Sequence, residues 1–65
     1  MTREDVLQNL RELNFDDFEH LKDGPTAVLF REDGENKSFG LAREGSIIIV
    51  RMDDQRWEFQ MDEIL

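Results

Sequence analysis

The hydrophobic pattern of the chain changes period once. Toward the N-terminus Val6, Leu7, Leu10 and Leu13 recur at spacings of three and four, which lays one apolar stripe along a helix of about three turns. Thr2 with Asp5 three residues later makes a weak capping box, and Glu4 and Asp5 place negative charge at the positive end of the helix dipole. Asn14 can end this helix and cap a second, because Phe15, Phe18 and Leu21 again recur every third residue before Gly24 stops the run. The segment DGPT, with Gly24 and Pro25, is the strongest internal break, and beyond it the period falls to two.

Four runs with strand character follow, at about Thr26 to Arg31, Lys37 to Arg43, Ser46 to Met52 and Arg56 to Met61. The connections EDGEN, EG and DDQ carry the Gly, Asn and Asp that tight hairpins need. A two-residue turn at Glu44 and Gly45 predicts Leu41 opposite Ile48 and Phe39 opposite Val50. An even-length loop at Asp53 and Asp54 brings Trp57 and Phe59 to the same face, and pairing Phe30 with Phe39 adds Val28 and Phe30. The expected fold is α+β, an N-terminal helix or short helix pair packed on a four-stranded antiparallel meander, forming one small domain over residues 1–65. Leu10, Leu13, Phe18 and Leu21 are the natural cover for the core face of that sheet.

The segment SIIIVRM is apolar on both sides of the strand, so covering one face leaves a second with Ala27, Leu29, Gly40, Ala42, Ile47 and Ile49 toward its middle. Arg31, Arg51, Arg56, Glu58 and Gln60 stand around them. Leu29, Arg31, Ala42, Ile47, Ile49 and Arg51 are therefore the candidate interface, occupied by a second copy in a homodimer or by a different protein. The competing explanation of the run is that the sheet curls and closes as a small barrel.

Composition narrows the function classes. Sixteen acidic residues against eight basic ones give a net charge of -8, which repels nucleic-acid phosphate, so direct nucleic-acid binding is not expected. Solubility, salt adaptation (six of the eight basic residues are Arg) and mimicry of a nucleic acid each account for such acidity. Mimicry points to Glu12, Asp16, Asp17, Glu19 and Asp23, on the helical side, as a surface that blocks the basic groove of a nucleic-acid-handling protein, in the manner of phage-encoded or antitoxin-like regulators. A helix-turn-helix reading fails on sign, because Asp16, Asp17 and Glu19 on its second helix would face phosphates. With no cysteine there is no disulfide and no Cys-based metal site, which fits a reducing compartment. The charged start MTREDVLQNL lacks the apolar run of a secretory signal, and no stretch is long and apolar enough for a membrane span; the expectation is a soluble, cytoplasmic protein.

Candidate chemistry adds little. His20 is the single histidine and suits a helix C-terminus. Asp53 and Asp54 fit a turn, and the pairs Asp16–Asp17 and Asp62–Glu63 fit helix termini; acid/base catalysis needs a pocket that separates two carboxyl pKa values. DGEN lacks the alternating ligands of a calcium loop, and Gly24, Gly34, Gly40 and Gly45 are too dispersed for a phosphate cradle. KSFGLAR resembles the strands of cold-shock and RNA-recognition domains over seven residues, but its one aromatic, Phe39, belongs to the core face. The sequence thus predicts a non-enzymatic interaction module without metal or cofactor, with the acidic regulator as the alternative.

Overall fold

The computed structural model describes the backbone of all 65 residues and the side chains of all but Phe15 and Asp17. Helix α1 covers Arg3–Arg11 and α2 covers Phe15–His20, followed by a 3-10 turn at Leu21–Asp23. Strands β1 (Thr26–Glu32), β2 (Glu35–Glu44), β3 (Ile47–Met52) and β4 (Gln55–Gln60) come next, and a final turn of helix, α3, occupies Met61–Ile64. The strands form one antiparallel sheet in the order β1-β2-β3-β4, so the fold is the expected α+β meander with helices on one face.

Local chemistry sets each boundary. The Thr2 hydroxyl accepts from the Asp5 N–H at 3.2 Å and Asp5 Oδ2 accepts from the Thr2 N–H at 3.0 Å, a complete capping box that starts α1. At Gly24 the chain takes a φ of 136°, open to glycine and strained for other residues, as the 3-10 turn ends. All three hairpins close through two residues. Asp33 and Gly34 both have left-handed φ, 52° and 79°, the pattern of a type I′ turn whose twist matches that of the strands.

The tight turns correct two registers. The second hairpin turns on Gly45 and Ser46 rather than on Glu44 and Gly45, so Leu41 lies opposite Val50 and Arg43 opposite Ile48. In the first, β1 and β2 run further toward the turn than their apolar residues suggest, placing Phe30 opposite Lys37 and Val28 opposite Phe39. Both shifts are by two residues, and a shift of two preserves the face to which every side chain belongs. The third hairpin pairs Ile48 with Phe59 and Val50 with Trp57, on the expected face.

Six of the eight predicted core-face residues, Phe30, Phe39, Leu41, Ile48, Val50 and Phe59, are buried, while Val28 and Trp57 are half-buried at its margin. Phe39 sits centrally, with its ring centroid 4.9 Å from that of Phe30 and 6.0 Å from that of Trp57. Val6, Leu7, Leu10, Phe18 and Leu21 close over this face, with Leu13 partly buried against it. Phe15, the first residue of the second stripe, has a side chain outside the described set.

The last strand ends one residue earlier than expected. It stops at Gln60, and Met61, expected as its final residue, turns into the core with Ile64 as α3. Glu63 drives this change, since its carboxylate accepts from the Gln60 N–H at 2.9 Å and closes a second capping box. Barrel closure is also absent, because β1 and β4 are the two edges of an open sheet.

Helix α1 serves both edges. On one flank Asn9 pairs with the backbone of Arg31 in β1; on the other, Arg3 donates to the Glu58 carbonyl in β4 at 3.1 Å, with its guanidinium 4.4 Å from the Phe59 ring centroid. Arg3 also reaches the Glu63 carboxylate at 3.1 Å, and Arg11 donates to the Glu63 carbonyl at 2.8 and 3.1 Å, which ties α3 to α1.

Candidate functional site

The register orders the second face of the sheet into cross-strand rows. Ala42 lies opposite Ile49, and Ile49 opposite Glu58; the next row carries Ala27, Gly40, Arg51 and Arg56; beyond it, Leu29 lies opposite Ser38 and Arg31 opposite Asn36. The helices that close the core pack on the other side of the sheet. Leu29 is 66% exposed, and Arg31 and Arg51 are exposed as well.

The six residues of the candidate interface share this face but do not form one apolar patch. Ile49, expected as an exposed centre, is only 4% exposed, with Ala42 and Glu58 beside it across the strands and Ile47 and Arg51 along its own. Ala42 and Ile47 are half-buried. Pro25, Gly40, Ala42, Glu44, Ile49 and Arg51 line a shallow depression of about 240 Å³, and Ile49 forms part of it. Leu29 stands apart, separated from the Ala42–Ile49 row by the row that holds Gly40 and Arg51. The run of aliphatic residues is thus divided: the core takes Ile48 and Val50, Ile49 lines this depression, and Ile47 lines a separate one with Arg3, Glu58 and Glu63.

The second candidate surface lies on the helices. Glu12, Asp16, Glu19 and Asp23 are exposed, and the Asp17 side chain lies outside the described residues. Glu19 is already engaged, 2.7 Å from Lys22 and 3.8 Å from Arg43, and the hydrogen bond from Lys22 holds its carboxyl below the usual range. His20 is exposed at the end of α2.

A charged cluster that sequence reasoning did not single out lies at the far end of β1. Glu32 accepts from Lys37 at 2.6 Å and from the Met1 amine at 2.8 Å, and these bonds lower its carboxyl from an ordinary 4.5 to about 2. The signal for the Lys37 contact is weak in sequence, because it depends on the turn at Asp33 and Gly34. Beside it Met1, Asp5, Asn9, Glu12, Arg31 and Asp33 contribute to a polar cleft of about 340 Å³. No group of three or more His, Asp or Glu suited to holding a metal ion occurs among the described residues. No helix is long and apolar enough to cross a membrane.

The geometry defines a class only at the level of architecture: a small α+β chain with one face of its sheet closed by helices and the other left open. Comparison with protein-family models, with curated proteins and with solved structures finds no match.

Proposed function

We propose that the protein is a small, non-enzymatic interaction module that works through the open face of its sheet, engaged by a second copy or by another protein. The observation that carries this reading is that the helices close one face of the sheet and leave the other uncovered, with Leu29 66% exposed on it and Arg31 and Arg51 exposed as well. Arg31 lies two residues from Leu29 on the same strand, and arginine is enriched in protein contacts.

Sedimentation equilibrium of the wild type and of Leu29→Lys, each at low and high salt, tests the homodimer. Leu29 is exposed, so its replacement leaves the core intact. A dimer that persists in high salt and dissociates in the variant supports the open face as the seam. For a different partner, a photo-crosslinking residue at position 29 is compared with one at position 12. Adducts formed only from position 12 would overturn the reading in favour of the second one.

That second reading is an acidic regulator or inhibitor acting through Glu12, Asp16, Asp17, Glu19 and Asp23. The exposure of Glu12, Asp16 and Asp23 supports it, while the ion pairs of Glu19 weaken its share. Reversing the charge of Glu12 and Asp16 together abolishes partner capture if it holds.

A further inference from the structure

The eight Lys and Arg residues divide sharply by whether their side chains find a partner. Arg3, Arg11, Lys22, Lys37, Arg43 and Arg56 all bond to a carboxylate or a carbonyl of the chain. Arg31 and Arg51 are the remaining two, and among the described residues neither guanidinium meets a hydrogen-bond or ion-pair partner. Both belong to the open face. Arg31 also borders the polar cleft that holds Asp5, Glu12, Glu32 and Asp33, yet its guanidinium pairs with none of them, so both groups stay available to acids supplied from outside.

The charge of that face agrees. Its strand positions carry Arg31, Arg51 and Arg56 against Glu44 and Glu58, so it is close to neutral on a protein of net charge -8. The helical side is where Glu12, Asp16, Glu19 and Asp23 stand exposed. An acidic ligand meets less repulsion on this face than on the helical side.

We propose that the open face binds an extended acidic segment of another protein, with carboxylates on Arg51 and Arg31 and an aliphatic side chain in the depression over Ile49. This rests on the reading of the open face as the interaction surface and names the chemistry of its partner. Arg31 and Arg51 are two strands apart and offset by four residues along the strands, a Cα separation of roughly 16 Å from standard sheet spacings. An extended chain covers that distance in about five residues. The depression lies beside Arg51, and Gly40, which forms part of its lining, has no side chain to fill it.

A second copy fits this face less well. A two-fold axis through the row of Arg51 and Arg56 would set that row against itself, like charge on like. Four strands of about six residues also offer a face of roughly 400 Å² in projection, against about 800 Å² of accessible surface on each partner in a standard stable complex.

The probe is a fluorescein-labelled decapeptide of Asp, Glu and Leu, compared with the same peptide carrying Lys for each acid and with a single-stranded DNA decamer. Anisotropy gives affinity, and amide shifts in 15N-labelled protein give the location. The expected result is saturable binding of the acidic peptide alone, with shifts centred on Leu29, Gly40, Ala42 and Arg51. Affinity should fall at least tenfold in Arg51→Glu and in Arg31→Glu. Lys22→Glu, which changes the net charge equally on the helical side, should leave it unchanged. Gly40→Val, which fills the depression without changing charge, should weaken binding as well, and amide dispersion verifies that each variant is folded. Absence of saturable binding, equal losses in Lys22→Glu and Arg51→Glu, or tighter binding of the DNA decamer would each overturn the proposal. If the peptide fails while the wild type forms a dimer that Leu29→Lys dissociates, the open face stands as the interface and only the acidic partner falls.

Discussion

The side-chain amide of Asn9 takes the place of a neighbouring strand beside Arg31. Its Oδ1 accepts from the Arg31 N–H at 3.1 Å and its Nδ2 donates to the Arg31 carbonyl at 3.4 Å, while Nδ2 also donates to the Asp5 carbonyl at 2.9 Å. A residue of an antiparallel edge strand points both groups outward at alternate positions, and there they invite another chain to pair. Asn9 therefore anchors α1 to the sheet and caps part of its edge.

Replacing Asn9 with Ala should destabilise the fold by about 1 kcal/mol, the usual net value of such bonds. Urea unfolding followed by Trp57 fluorescence measures the change. An unchanged midpoint would mean that water serves the Arg31 backbone equally well.

Acid should loosen the β1 end before the core. Glu32 has a folded pKa depressed to about 2, so its contribution is complete above its ordinary value of 4.5 and is lost as pH falls from there toward 2. Lys37 has its pKa raised by the same bond, so its contribution is present below its ordinary value of 10.5 and is lost as pH rises beyond it. Glu32→Gln should flatten the acid limb of a stability curve measured by denaturant titration between pH 2 and 5. A variant curve parallel to that of the wild type would assign the acid loss to Glu63, Asp5 or Glu19, whose carboxyls are also lowered, the first two chiefly by backbone hydrogen bonds from Gln60 and Thr2 and the third by Lys22.

The short α3 should matter more than its length suggests. Ile64 is buried in the common core, so Ile64→Ala is expected to cost roughly 2–4 kcal/mol through lost burial and the cavity left behind. A domain of this size has roughly 3–10 kcal/mol in total, so the loss is a large share of the stability and the melting point should fall by several degrees. Circular dichroism melting tests this, and a melting point within 2 °C of wild type, taken as about the resolution of the comparison, would show that α3 is dispensable.

Gly40 offers a test in the opposite direction. A Cβ built there meets only the Arg51 carbonyl, at an ordinary 3.8 Å, so neither crowding nor backbone geometry requires glycine at this position. Gly40→Ala should stabilise the protein by about 0.4–1 kcal/mol by restricting the unfolded chain. A rise in thermal midpoint checks it, and a fall would reveal a strand conformation that disfavours a side chain.

The kinds of element and the assignment of faces follow from local pattern. Spacings of three and four at Val6, Leu7 and Leu10 define a helical stripe, and alternation through Trp57 and Phe59 defines a strand, because each period is a property of the local backbone. Parity survived two wrong registers, since the shift at each hairpin was even and face depends only on parity. Tertiary structure decided what local patterns do not encode. The Gln60–Glu63 cap that starts α3 is local, but α3 is held against α1 because Arg3 grips the Glu63 carboxylate and Arg11 its carbonyl, from positions far away in sequence. The side-chain partners of the arginines are likewise settled across elements: Arg43 reaches the Phe18 carbonyl in α2, Arg3 reaches β4 and α3, and the guanidinium groups of Arg31 and Arg51 make no hydrogen bond or ion pair among the described residues. The physical reason is range. Helix and strand periods arise from neighbours a few residues apart, whereas a long side chain bonds to whatever the packed chain brings within about 3 Å.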